Sequence, residues 1–141
     1  MKKTMFVGET RSGKSSLIKV LSGESYSPRR AMAVEFIGPF INTPGEFLEN
    51  SWFYSALITS SADCQVLAIV HDATRRTSLI PPLFVSMFNR EVIGIISKVD
   101  APSADPDLAE RFLKQAGAKE IIRTSTVTGE GIEELLAILN S

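Results

Sequence analysis

Eight consecutive residues carry the clearest chemistry in the chain. Gly8-Glu9-Thr10-Arg11-Ser12-Gly13-Lys14-Ser15 follows the spacing G-x-x-x-x-G-K-[ST] without deviation. Gly8 and Gly13 permit backbone conformations that turn successive N–H groups inward as an anion nest. A helix starting directly after the loop, through Ser15 and Ser16, adds its positive N-terminal end. Lys14 would reach the β- and γ-phosphates of a nucleotide, and the Ser15 hydroxyl would ligate Mg²⁺. Residues Gly8 to Ser16 are therefore expected to hold a polyphosphate.

Such a loop works only between a strand and a helix, and the flanking sequence supplies both. Thr4 to Val7 is a short apolar run, and Ser15 to Ser22 carries Leu17, Ile18 and Leu21 at helical spacing. Ala33 to Phe36 reads as a second strand that Phe40-Ile41 continues after the Gly38-Pro39 turn. Ser51 to Ala62 reads as a helix. Val66 to Val70 and Val92 to Ile96 are apolar without alternation, the habit of strands buried on both faces of a parallel sheet. Asp105 is placed to cap a helix over Pro106 to Gln115 that Gly117 ends. Glu120 to Arg123 gives a last strand and Gly131 to Leu139 a last helix. The order β-α-β-α-β-α-β-α predicts an α/β layer sheet, mostly parallel, with helices on both faces.

Composition narrows the class. With 141 residues the chain is expected to form one domain over residues 1–141. Hydrophobic types make up 44% and charged types 22%, which excludes whole-chain disorder. Fifteen Lys plus Arg against 16 Asp plus Glu leave a net charge of −1, so neither nucleic acid nor an anionic membrane is an expected partner. A single cysteine, Cys64, cannot pair internally and fits a reducing, cytoplasmic compartment. No run is long enough for a signal peptide or a membrane span. A strand near Met1 and a helix near Ser141 leave no amphipathic extension, so a partner is expected on the folded surface.

Three later segments resemble the remaining motifs of small Ras-like GTPases. Asn42-Thr43-Pro44-Gly45-Glu46 resembles the D-x-x-G switch, Ser97-Lys98-Val99-Asp100 the N/T-K-x-D base-reading motif, and Ser125-Thr126-Val127 the loop that backs guanine. Ala33-Val34-Glu35-Phe36, the Thr43-to-Asn50 stretch and Tyr54-Ser55-Ala56-Leu57-Ile58 are similar to the EutP/PduV family, small P-loop proteins of ethanolamine and propanediol utilisation associated with bacterial microcompartments. The resemblance runs from Lys3 to Asn140. It implies a three-layer Ras-like P-loop NTPase fold with a truncated edge strand, GTP or ATP with Mg²⁺ as ligands, and a cytoplasmic protein associated with a microcompartment. A shell or enzyme protein is the partner it implies. Oligomeric state is not legible.

On that resemblance the Asp100 carboxylate accepts from N1–H and the exocyclic amine of guanine, a pair adenine lacks, which is worth about 1–3 kcal/mol of discrimination. The stem of Lys98 lies along the base plane, and N–H groups of Ser125, Thr126 and Val127 hold O6. Ser97 is shorter than the usual Asn, so its tie to the phosphate loop is expected to be weakened. Gly45, the glycine of the switch segment, is a further nucleotide-binding candidate. Asn42 holds Mg²⁺ only indirectly and has lost the charge of the usual aspartate. Glu46 stands where a glutamine usually positions water, and its carboxylate would repel the γ-phosphate unless rotated away. The expected switch threonine is missing, because Ala31 and Met32 carry no side-chain oxygen; Ser25, Ser27 and Thr43 are the substitutes. Lys14 and Glu46 are the catalytic candidates, and weak GTPase activity with a switch or accessory role is the first expectation. The alternatives are an ATP-dependent acetate kinase and a non-hydrolysing scaffold.

Other residues are expected to be structural. His71 and Asp72 read as a loop histidine with a solvated neighbour, and Arg29-Arg30 and Arg75-Arg76 as solvated pairs. Some of Trp52, Phe53 and Tyr54 should face the core.

Overall fold

In the computed structural model, residues 1–23 and 26–141 are described. Among these residues six strands form one sheet, in the order β2-β3-β1-β4-β5-β6. They are β1 (Thr4–Gly8), β2 (Glu35–Ile37), β3 (Phe40–Asn42), β4 (Val66–Asp72), β5 (Glu91–Ser97) and β6 (Glu120–Arg123). All neighbours are parallel except β2 and β3, which pair antiparallel with Glu35 opposite Asn42. Phe40-Ile41 therefore does not extend the preceding strand but folds back on it. Gly38, at φ 56°, supplies the left-handed residue that this tight reversal needs. The edge strand β2 has only three residues, as the truncated edge implied.

The apolar runs feed both faces of the sheet. Along β1, Met5 and Val7 join a core with Leu57, Leu67, Ile69, Ala109 and Leu113. Phe6 points the other way, into a core with Leu17, Ile18, Ala68, Val70, Leu135 and Leu139. So α1 (Lys14–Ser22) and α5 (Ile132–Leu139) cover one face, while α3 (Tyr54–Ser61) and α4 (Pro106–Ala116) cover the other. Three layers result.

The predicted helix over 51–62 is split. A short helix α2 (Glu46–Glu49) precedes it, Asn50 Oδ1 accepts from Trp52 N–H at 3.0 Å, and Ser51–Phe53 forms a 3-10 turn before α3. Trp52 stands 88% exposed, whereas Phe53 stacks on Phe47 and Tyr54 meets Phe84 edge-on. Between β4 and β5 the crossover holds only a 3-10 turn, Phe84–Met87, instead of a full helix. The α4 caps agree with expectation: the Asp105 side chain accepts from Leu108 N–H and Gly117 closes the helix at φ 104°. Among the described residues no helix is long and apolar enough to cross a membrane.

Candidate functional site

Because β1 lies between β3 and β4, the loop after it opens where strands are added in opposite directions, the usual ligand-binding edge of such sheets. Arg11 at φ 66° and Gly13 at φ 107° bend the loop, and the carbonyls of Gly8 to Ser12 are all taken up by other groups. Lys14 Nζ donates to Gly8 O (2.8 Å) and Glu9 O (3.0 Å). Arg75 donates to Thr10 O (2.7 Å), Lys98 Nζ to Arg11 O (2.7 Å), and Ser97 Oγ to Ser12 O. Three cations and a hydroxyl thus hold the acceptors. Among the described residues the N–H groups of Arg11, Gly13, Lys14 and Ser15 have no protein partner. That polarity, donors free and carbonyls tied, is what an anion nest requires.

A hollow of about 520 Å³ lies against these donors, lined by Thr10 to Ser16, Pro28 to Ala31, Asn42, Thr43, Gly45 and Lys98. Lys14 is 7% exposed, and burial pushes its ammonium down to about 8, opposed by the charges of Glu49 and Glu9 and assisted by that of Arg75. A polyphosphate would restore the charge that burial disfavours. Ser15 Oγ donates to Arg29 O at 2.6 Å and accepts from Asn42 Nδ2 at 3.3 Å, while Asn42 Oδ1 is buried without a partner among the described residues. The hydroxyl, together with this orphaned amide oxygen, is a hard-oxygen set fit for Mg²⁺, provided the Arg29 carbonyl withdraws. The metal would supply charge neutralisation between the phosphates.

Several expectations need correction. Ser97 does not loosen the base-reading segment: the end of β5 comes close enough for its short side chain to bond the phosphate loop directly. Glu9 does not face the hollow; it is 4% exposed and held by Arg75 Nη1 at 2.7 Å and Leu79 N–H at 3.1 Å. Arg75 is accordingly no solvated arginine, although Arg76 is, at 67% side-chain exposure beside Asp105. Arg29 ion-pairs with Glu35 at 2.8 Å, lies over the Tyr26 ring and lends its carbonyl to Ser15. His71 and Asp72 are not loop residues but the buried end of β4, exposed by 1% and 4%. Burial lowers the His71 imidazole and keeps it neutral. Burial would raise Asp72, but hydrogen bonds from Lys98 and Thr74 outweigh it and hold the carboxyl below its usual range.

The switch residues are placed less simply than expected. Glu46 turns toward Arg30, 3.7 Å away, so its carboxylate is rotated from the loop. Thr43 Oγ1 is buried on Phe6 O at 2.7 Å and so is not the substitute switch hydroxyl. Ser27 is exposed, and Ser25 lies outside the described residues. Gly45 packs directly on Thr10, where a Cβ would overlap the Thr10 backbone. The carboxylate that does reach the loop is Glu49, which accepts from Thr10 N–H at 2.8 Å and from Thr10 Oγ1 at 3.2 Å. Sequence reasoning missed it, and missed the lining role of Pro28 to Ala31, for which the basic pair was the only signal.

At the base end, Lys98 Nζ bridges Arg11 O and Asp72 Oδ2 (2.8 Å), leaving its stem to line the hollow. Asp100 accepts from Ser125 Oγ at 2.8 Å. Of the three amides expected to hold O6, two are engaged: Ser125 N–H on Glu130 O and Val127 N–H on Ser125 Oγ. Thr126 N–H is the remaining donor. Asp100 and Ser125 to Val127 do not line the hollow.

The family profile PduV-EutP, described as ethanolamine utilisation - propanediol utilisation, matches residues 1–141. Propanediol utilization protein PduV of Citrobacter freundii is 36% identical over 142 residues, covering 100% of this chain and 95% of that protein. Probable acetate kinase EutP of Escherichia coli (strain K12) is 32% identical over 144 residues, covering 100% and 91%. Among solved structures, the bacterial selenocysteine-specific elongation factor EF-Sec superposes with a TM-score of 0.67 at 25% identity. It covers 99% of this chain, which spans only 29% of that one. The fold is that of the P-loop GTPases.

Proposed function

Because the chain belongs to the PduV-EutP family of ethanolamine and propanediol utilisation, we propose that its 141 residues act as one nucleotide-binding domain that prefers GTP with Mg²⁺ and turns it over slowly. The observation that carries this reading is the phosphate loop, whose carbonyls are tied while, among the described residues, the N–H groups of Arg11, Gly13, Lys14 and Ser15 stay free over a buried lysine. Gly13, Lys14, Ser15 and Ser16 hold the phosphates, Ser15 with Asn42 holds the metal, and Lys98, Asp100 and Thr126 hold the base. Guanine is favoured because the Asp100 carboxylate accepts from two adjacent donors that only guanine offers. Slow turnover follows from the switch: Thr43 is committed to Phe6 O, Asn42 has no charge and Glu46 is drawn to Arg30. The role fits an accessory or switch protein of a microcompartment operon, working in the cytoplasm or on the compartment, with a shell or enzyme protein as partner.

The name of the Escherichia coli relative favours a second reading, phosphoryl transfer from ATP to acetate. Calorimetric titration with Mg-GTP and Mg-ATP, then phosphate release with and without acetate, separates the two. Tighter GTP binding with slow, acetate-independent release supports the first reading. ATP preference with acetyl phosphate formation overturns it.

A further inference from the structure

We propose that Glu49 is a specificity-determining residue that tilts the phosphate loop toward nucleoside diphosphates and against triphosphates; this rests on the nucleotide reading above. Its two carboxylate oxygens take the N–H and hydroxyl of Thr10, so an anion supplied by α2 already sits on the loop. Thr10 and Gly45 line the same hollow as Lys14 and Ser15. Lys98 and Asp100 lie at the base end and Ser15 with Asn42 at the metal, so the tail of a bound nucleotide runs toward Thr43, Gly45 and Thr10. A diphosphate held on the N–H groups of Gly13, Lys14 and Ser15 stops short of Thr10. The third phosphate of a triphosphate reaches the Thr10–Gly45 end and meets the Glu49 carboxylate, like charge against like charge. Glu49 also acts on Lys14, whose ammonium its negative charge stabilises. A γ-phosphate beside Lys14 takes over that role.

Two features make Glu49 a coupled element and not a passive neighbour. Gly45 packs against the Thr10 backbone with no room for a Cβ, so α2 is seated on the loop at both its ends. Three residues after Glu49 comes Trp52, the only tryptophan in the chain, exposed and tied through its backbone N–H to Asn50. Expelling Glu49 from Thr10 breaks one of the two attachments of α2 to the loop and frees the segment that carries this indole. A triphosphate therefore binds at the cost of unlatching α2, and a diphosphate binds with the latch closed.

The test compares GDP with a non-hydrolysable GTP analogue, both with Mg²⁺, by calorimetry on the full chain. Glu49→Gln keeps an acceptor for Thr10 and removes the charge; it should shift the affinity ratio toward the triphosphate by about tenfold, the scale of one unit-charge interaction at a partly exposed site. Glu133→Gln, on the exposed face of α5, should leave the ratio unchanged. In the wild-type chain, where folding of a variant is not at issue, the triphosphate analogue should change Trp52 emission and GDP should not. A ratio that stays within twofold in Glu49→Gln, or identical Trp52 responses to both nucleotides, overturns the proposal while leaving nucleotide binding intact. Failure of every protein to bind either nucleotide overturns the nucleotide reading itself, and the proposal with it.

Discussion

Arg75→Ala should cost far more than Arg76→Ala, although the two arginines are adjacent in one loop. Arg75 Nη1 meets Glu9 Oε1 and its Nη2 meets Thr10 O, both at 2.7 Å, and the Glu9 side chain is only 5% exposed. Removing one member of a fully buried pair costs about 3–5 kcal/mol because the other charge is left stranded. Here the guanidinium is 35% exposed and Glu9 keeps the Leu79 N–H, so about 2 kcal/mol is expected, with an effect on the melting temperature of roughly 6 °C for a chain of this size. Arg76 pairs with Asp105 in solvent, and Asp105 keeps its cap on α4, so Arg76→Ala should cost less than about 0.5 kcal/mol. Urea unfolding of the two variants gives the comparison, and calorimetry should show weaker nucleotide binding for Arg75→Ala because the Thr10 carbonyl loses its donor. Equal, small losses in both variants would refute the reasoning that Arg75 shapes the phosphate loop.

Three further outcomes are expected. Nucleotide affinity should be flat below pH 8 and fall about tenfold per unit above it, because the free Lys14 ammonium, lowered to about 8, must regain a proton to bind phosphate. Without ligand the sign is reversed: Lys14 titrates lower folded than unfolded, so its burial penalty, on the order of 3 kcal/mol, is fully present below pH 8 and disappears as pH rises toward 10.5; unfolding of wild type against Lys14→Met across that window measures it. Gly45→Ala, whose Cβ has no room against Thr10, should lower nucleotide affinity by at least tenfold in calorimetric titration while α4 and α5 keep their helical signal.

Legibility in the sequence divides by range. The phosphate loop was legible because its chemistry is contiguous, with each residue type demanded at a fixed offset. The capped helix α4 and the buried runs of β4 and β5 were legible for the same reason. The antiparallel turn between β2 and β3 was not, since Gly38-Pro39 marks a bend without fixing the direction of the next strand. His71 and Asp72 read as loop residues because polar types there close an apolar run. The strand continues through them, with Asp72 held by Lys98 and Thr74. Ser97 looked too short for its task only while the distance to Ser12 was unknown. Glu9, Arg75 and Glu49 act across separations of 39 to 66 residues, and no local pattern announces such partners.

Calorimetric titration of Mg-GTP into wild type and Lys14→Ala tests the free amides and the buried lysine of the loop together. Saturable binding by the wild type, weakened at least a hundredfold in the variant, is the predicted result. Equal affinity in both proteins, or no heat from the wild type at millimolar nucleotide, would contradict it.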